Sequence, residues 1–118
     1  ETWPASFAFL SYLRRTIPDL SDWRFVELGA GTGYVSLNLA LEGAHTVVTT
    51  DYDSKILKNL RQSVCANKVN SNMHVLRWDW KDPLPKRLPT LLRRSLNKKN
   101  NKKNKNKNNN KKKDKKNN

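Results

Sequence analysis

Glu27-Leu28-Gly29-Ala30-Gly31-Thr32-Gly33 decides how this chain folds, because its glycines fall where an apolar run gives way to a helical pattern. The run before it, Arg24-Phe25-Val26-Glu27-Leu28, reads as a short buried strand. The segment after it begins a helix near Gly33, carries Val35, Leu37, Leu39, Ala40 and Leu41, and stops at Gly43, a C-terminal cap. A strand, a glycine turn and a helix in that order bring free N–H groups and the positive end of the helix dipole against the turn. Phosphate-binding turns of the G-x-G-x-x-G kind use this geometry. Here the spacing is G-x-G-x-G, and a carboxylate, Glu27, stands two residues before the first glycine. That carboxylate repels a pyrophosphate and suits the ammonium of an amino-acid moiety.

Downstream, Thr46-Val47-Val48-Thr49-Thr50 is β-branched throughout and favours a second strand that ends at Asp51. Asp53 or Ser54 then caps a longer helix, with Ile56, Leu57, Leu60 and Val64 on one face and Lys55, Lys58, Arg61 and Gln62 on the other. Met73 to Trp78 reads as a third strand. Upstream, Pro4 opens an amphipathic helix to about Arg15, marked by Ala5, Phe9, Tyr12 and Leu13, and Asp19, Ser21 and Asp22 make a polar turn. The order β-α-β-α-β implies a Rossmann-like α/β fold, with parallel strands joined by right-handed crossovers and helices covering the sheet.

Asp51 follows Glu27 by 24 residues, at the end of the neighbouring strand. There its side chain can accept hydrogen bonds from both ribose hydroxyls of a nucleoside lying across the strand ends. Two acids at two strand ends, with no provision for phosphate, point to S-adenosyl-L-methionine, which joins a nucleoside to an amino acid. The plainer alternative is a structural tight turn with Asp51 as a helix cap.

Composition separates a domain from a tail. Of 24 Lys and Arg and 10 Asp and Glu, 13 cations and a single acid, Asp114, lie from Arg93 onward, so the first 92 residues carry 11 cations and 9 acids. We expect one partial domain over residues 1–91 and a disordered Lys/Asn-rich tail over 92–118, with Pro83, Pro85 and Pro89 closing the ordered part. From Asn97 the text is 11 Lys, 10 Asn and one Asp. All Lys and Asn codons begin with two adenines, so an A-rich stretch read through by mistake would give the same text. No run reaches the roughly 18–20 apolar residues of a membrane helix, and the chain opens at Glu1 without a leader or an initiator Met. The one cysteine, Cys65, is expected to pack beside an apolar stripe, and His45 and His74 lack metal-ligand spacing. Arg14-Arg15 and Arg93-Arg94 read as solvated faces, or as pairs that meet an acidic partner.

Glu1-Thr2-Trp3-Pro4-Ala5-Ser6, the ELGAGTGYVSL stretch, Val48-Thr49-Thr50-Asp51 and Trp78-Asp79-Trp80 together closely resemble the lysine-specific seven-β-strand, class I protein methyltransferases, over about residues 1 to 85. The opening and the aspartyl-tryptophan look most like the branch that methylates a lysine of elongation factor 2. The resemblance implies an S-adenosyl-L-methionine-dependent protein-lysine N-methyltransferase, a protein substrate and cytoplasmic residence. It places Trp3 beside the cofactor, Glu27, Gly29, Ala30, Gly31 and Gly33 at its methionine end and Asp51 on the ribose. Trp80, or failing that Trp78, then lies against the adenine, a flat and restrained partner for stacking. Read without the resemblance, Trp3 is a hydrophobic anchor at a helix start and Trp78 a strand-core residue.

Relatives of this kind carry seven strands, and three are visible here. The fourth strand and the acidic and aromatic motif that follows it are absent, so no catalytic residue is assigned. Three other readings compete: an RNA or other S-adenosylmethionine-dependent methyltransferase, a protein that holds nucleic acid through its basic tail without reading sequence, and an inert fragment. A monomer with no membrane partner and no metal is expected.

Overall fold

The computed structural model describes residues 2–93. Six elements are arranged as α1 (Pro4–Thr16), β1 (Arg24–Glu27), α2 (Tyr34–Leu41), β2 (Thr46–Asp51), α3 (Ser54–Ala66) and β3 (Met73–Arg77), as the alternation of sequence patterns requires. The three strands form one parallel sheet in the order β1-β2-β3. Register pairs Glu27 with Thr49 and Asp51 with Arg77.

Successive strand residues face opposite sides of a sheet, and β2, buried along its whole length, shows both. Val47 joins Leu10 and Leu13 of α1, Val35 and Leu39 of α2, Val64 of α3 and Met73 in the larger core. Its neighbour Val48 joins Leu76 and Leu88 in a smaller one. Leu10, Leu60 and Val47 are almost fully buried, and each such side chain stabilises the fold by about 1.5–3 kcal/mol relative to exposure.

Two local readings change. The buried stripe of α1 is Leu10 and Leu13, whereas Phe9 and Tyr12 are exposed. The helix is turned so that Phe7 meets the Tyr34 ring at 4.6 Å and Arg14 forms an ion pair with Glu42 at the end of α2. Arg14 also donates to Asn38 Oδ1 at 3.3 Å, so it fastens α1 to α2 while remaining on an exposed face, with Glu42 as its acidic partner. The prolines do not end the ordered chain either. Residues 87–93 are helical, with Pro89 in the first turn where no N–H is missed, and Leu88 packs with Val48. The Lys/Asn-rich segment and Arg94 lie outside the described residues.

Candidate functional site

β1 ends at Glu27, and the chain turns through Gly29, Gly31 and Gly33, all at positive φ, before α2 begins. The turn is pinned to the next strand. Ala30 N–H donates to the Thr50 carbonyl at 2.9 Å, and Thr50 Oγ1 donates to the Glu27 carbonyl at 2.8 Å. Gly31 N–H donates to Asp51 Oδ2 at 3.1 Å. The other carboxylate oxygen, Oδ1, accepts from Asp53 N–H at 3.1 Å. Two backbone donors therefore aim a buried Asp51 carboxylate at the place where strand ends and glycine turn meet. The cap of α3 is Asp53, which accepts from the N–H groups of Lys55 and Ile56, so Asp51 is free of that duty.

A cavity of about 480 Å3 opens there, walled by Gly29, Asp51, Tyr52, Ile56, Trp78, Asp79, Trp80 and Lys81. Its size falls in the range of small-molecule clefts, roughly 300–1,000 Å3. Trp78 follows β3 in chain order, and its backbone N–H donates to the Asp51 carbonyl at 2.9 Å, while its indole N–H donates to the Asp82 carbonyl at 3.2 Å. Trp80 is 67% exposed, and its ring lies against Gly29, 3.0 Å from where a Cβ would stand. Glycine at 29 thus lets an aromatic face approach the backbone directly.

Of the residues singled out in the sequence, the fold brings Gly29, Asp51, Trp78 and Trp80 into one cavity wall, with Ala30 and Gly31 bonded to it from behind. The other three sit differently. Glu27 turns its carboxylate to the first turn of α2, accepting from Ser36 N–H at 3.1 Å and from Ser36 Oγ. Burial pushes its carboxyl up from the usual range, against the two Ser36 hydrogen bonds that lower it. Gly33 is buried beneath Leu60 as the left-handed N-cap of α2. Trp3 is 78% exposed at the start of α1, but its neighbour Thr2 reaches the glycine turn through a 2.9 Å contact with Thr32 Oγ1. Of the other lining residues, Ile56 was read in the sequence only as part of a helix face and Asp79 only as part of a motif, and Tyr52 and Lys81 were not singled out. Three of them are immediate neighbours of Asp51 or of the tryptophans, which is the signal that could have found them.

Cys65, expected to pack, is exposed and receives Asn70 Nδ2 at 3.5 Å. Among the described residues no group of His, Cys, Asp and Glu could hold a metal ion, and no helix is long and apolar enough to cross a membrane.

Comparison with known proteins agrees with this geometry. The chain is 32% identical over 88 residues to the protein N-terminal and lysine N-methyltransferase efm7 of Aspergillus fumigatus, covering 70% of this chain and 34% of that protein. It is 33% identical over 92 residues to the protein-lysine methyltransferase METTL21E of Bos taurus, covering 74% and 31%. It therefore spans about a third of the length of these relatives. Among solved structures, a dimethyladenosine transferase from Plasmodium falciparum superposes with a TM-score of 0.54 at 26% identity, covering 67% of this chain and 28% of that one. Coclaurine N-methyltransferase bound to N-methylheliamine and S-adenosylhomocysteine superposes at 0.59 with 14% identity, covering 70% and 24%, a likeness of fold alone. The family described as lysine methyltransferase matches residues 1–96, and the chain, a class I methyltransferase fold in its first three strands, belongs to that family.

Proposed function

We propose that this chain carries the cofactor side of an S-adenosyl-L-methionine-dependent protein-lysine N-methyltransferase. The observation that carries the reading is the buried Asp51 carboxylate, held by Gly31 N–H and Asp53 N–H at the mouth of a cavity that two indoles also wall. The donor set fits the cofactor. Asp51 keeps acceptor capacity for ribose hydroxyls, Trp80 and Trp78 offer flat faces to adenine, and the glycine turn permits close approach of the methionine end. Thr2, next to Trp3 in the chain, meets Thr32 of the glycine turn, which sets the exposed Trp3 near this end. Glu27 acts on the same turn by holding the start of α2, through Ser36.

When bound, the cofactor supplies a methyl group on a sulfonium centre. The chain's own residues bind and orient it, and none of residues 2–93 is assigned to position the neutral lysine amine. The finer reading is that the substrate is elongation factor 2, supported by the Trp3-Pro4-Ala5-Ser6 opening and the Trp78-Asp79-Trp80 cluster. Cytoplasmic residence and a monomeric state go with that reading.

Calorimetric titration with S-adenosylhomocysteine tests the cofactor site. Saturable binding is expected, weakened about ten- to a hundredfold by Asp51→Ala, the loss that goes with a charge-assisted hydrogen bond. A folded chain without binding would overturn the assignment. Elongation factor 2 incubated with the chain and labelled cofactor then tests the finer reading: lysine methylation of it carries that reading, and methylation of other proteins but not of elongation factor 2 sets that substrate aside and leaves the site in place.

A further inference from the structure

Beyond β3 the chain makes a tight turn over residues 79–82, closed by Asp82 N–H donating to the Asp79 carbonyl at 2.9 Å, and Asp79 Oδ1 accepts from Lys81 N–H at 3.0 Å. The turn is tied down from both ends. Trp78 N–H donates to the Asp51 carbonyl at 2.9 Å, the Trp78 indole N–H donates to the Asp82 carbonyl at 3.2 Å, and Arg77 forms an ion pair with Asp82 at 3.9 Å. Trp80 stands at the first corner of this fixed frame. Its side chain is mostly exposed, and its indole N–H meets no acceptor among the described residues.

Where that ring lies decides access to the cavity. In the sheet order β1-β2-β3, Gly29 follows β1, Asp51 ends β2 and Trp80 follows β3. Ring carbons Cζ2 and Cη2 of Trp80 lie 3.0 and 3.6 Å from the place of a Cβ on Gly29. Neighbouring strands stand about 4.8 Å apart, so the indole reaches from the exit of β3 to the exit of β1 and crosses the strand end that carries the Asp51 carboxylate. A nucleoside with its ribose on Asp51 lies across the same strand ends. Ring and nucleoside therefore claim one space. Glycine at position 29 admits the ring, since any Cβ there would hold it off. Exposed side chains change rotamer readily, and turning this one breaks none of the hydrogen bonds of the frame.

We propose, on the cofactor reading of this cavity, that the Trp80 indole is a gate: in the empty chain it lies closed on Gly29, and the cofactor displaces it to reach Asp51. A closed form that competes with the ligand lowers apparent affinity in proportion to the open fraction, so a ring seated on Gly29 for about two-thirds of the time weakens binding about threefold.

Proton NMR of the whole chain, with calorimetry on the same samples, tests the gate. In the free chain the Gly29 α-protons should be displaced by the ring current of Trp80 and should show a nuclear Overhauser effect to its Hζ2. Saturating S-adenosylhomocysteine should abolish the Overhauser effect. Trp80→Phe has no atoms at Cζ2 and Cη2, so it should lose the Gly29 displacement in the free chain and bind S-adenosylhomocysteine about threefold more tightly. A free chain without the Overhauser effect, an effect that persists in the complex, or weaker binding by Trp80→Phe would each overturn the gate and leave the cofactor site standing, the last in favour of a plain stacking wall. A folded wild-type chain that binds no S-adenosylhomocysteine would overturn the cofactor reading and the gate with it.

Discussion

At Gly33 the backbone lies at φ +72°, and an added Cβ would stand 2.3 Å from Leu60 Cδ2. Gly31, two residues earlier at φ +55°, has open space around the same imagined atom. Both positions strain any L side chain, but only Gly33 also displaces a core leucine of α3. Gly33→Ala should therefore cost about 2–4 kcal/mol and Gly31→Ala about 1 kcal/mol, compared by urea unfolding midpoints. Equal costs would mean that Leu60 moves aside freely. The glycine spacing was legible as a turn that needs positive φ. Which glycine carries the packing was not, because its partner is 27 residues away and depends on how α3 crosses the turn. Glu27 shows the same limit: its position beside the turn was readable, and its engagement by Ser36 was set by where α2 begins.

At the level of elements, polar side chains explain two of the helix boundaries. Asp53 satisfies two orphan N–H groups of α3, and Asn72 Nδ2 reaches back to the carbonyls of Ala40 and Ala44 that close α2. Asp53→Ala should lower stability by about 1 kcal/mol, within the usual range of about 0.5–2, and leave the sheet intact; circular dichroism melts with and without the change measure this. A loss of cofactor binding larger than the stability change explains would show that Asp53 also sets the Asp51 carboxylate, which accepts its N–H. The strands and helices were legible from periodicity nearly to the residue. The face of α1 was misassigned because Phe9 and Tyr12 look like core, while the ion pair of Arg14 with Glu42 and the Phe7–Tyr34 contact turn the helix toward Leu10 and Leu13.

Across the whole molecule, protection is uneven. Side chains of α1, α2 and α3 meet one face of the sheet in the larger core, while the smaller core on the other face involves Leu88, Leu91 and Leu92. β2 is bonded on both sides and buried throughout; β1 leaves Val26 exposed, and Leu28 just after it is exposed as well. Amide hydrogen exchange should accordingly be slowest over 46–51 and distinctly faster over 24–27, read by mass spectrometry of the native chain. Equal protection of the two strands would show that something covers β1. The parallel order of the sheet followed from the alternation of patterns, but the helix through residues 87–93 did not, because its prolines resemble a terminator and Leu88, Leu91 and Leu92 become a pattern only once they meet Val48 and Leu76.

The contact between the Trp80 ring and Gly29 has an optical side. Tryptophan emission responds to how its ring is solvated, and Trp80 is both water-exposed and part of the cavity wall, next to Trp78. A nucleoside entering the cavity that these indoles wall would exchange water for a stacked ring, quenching and shifting the light they emit. The chain thereby contains its own fluorescent gauge of occupancy, and Trp80→Phe separates that signal from the steadier emission of Trp3 and Trp23.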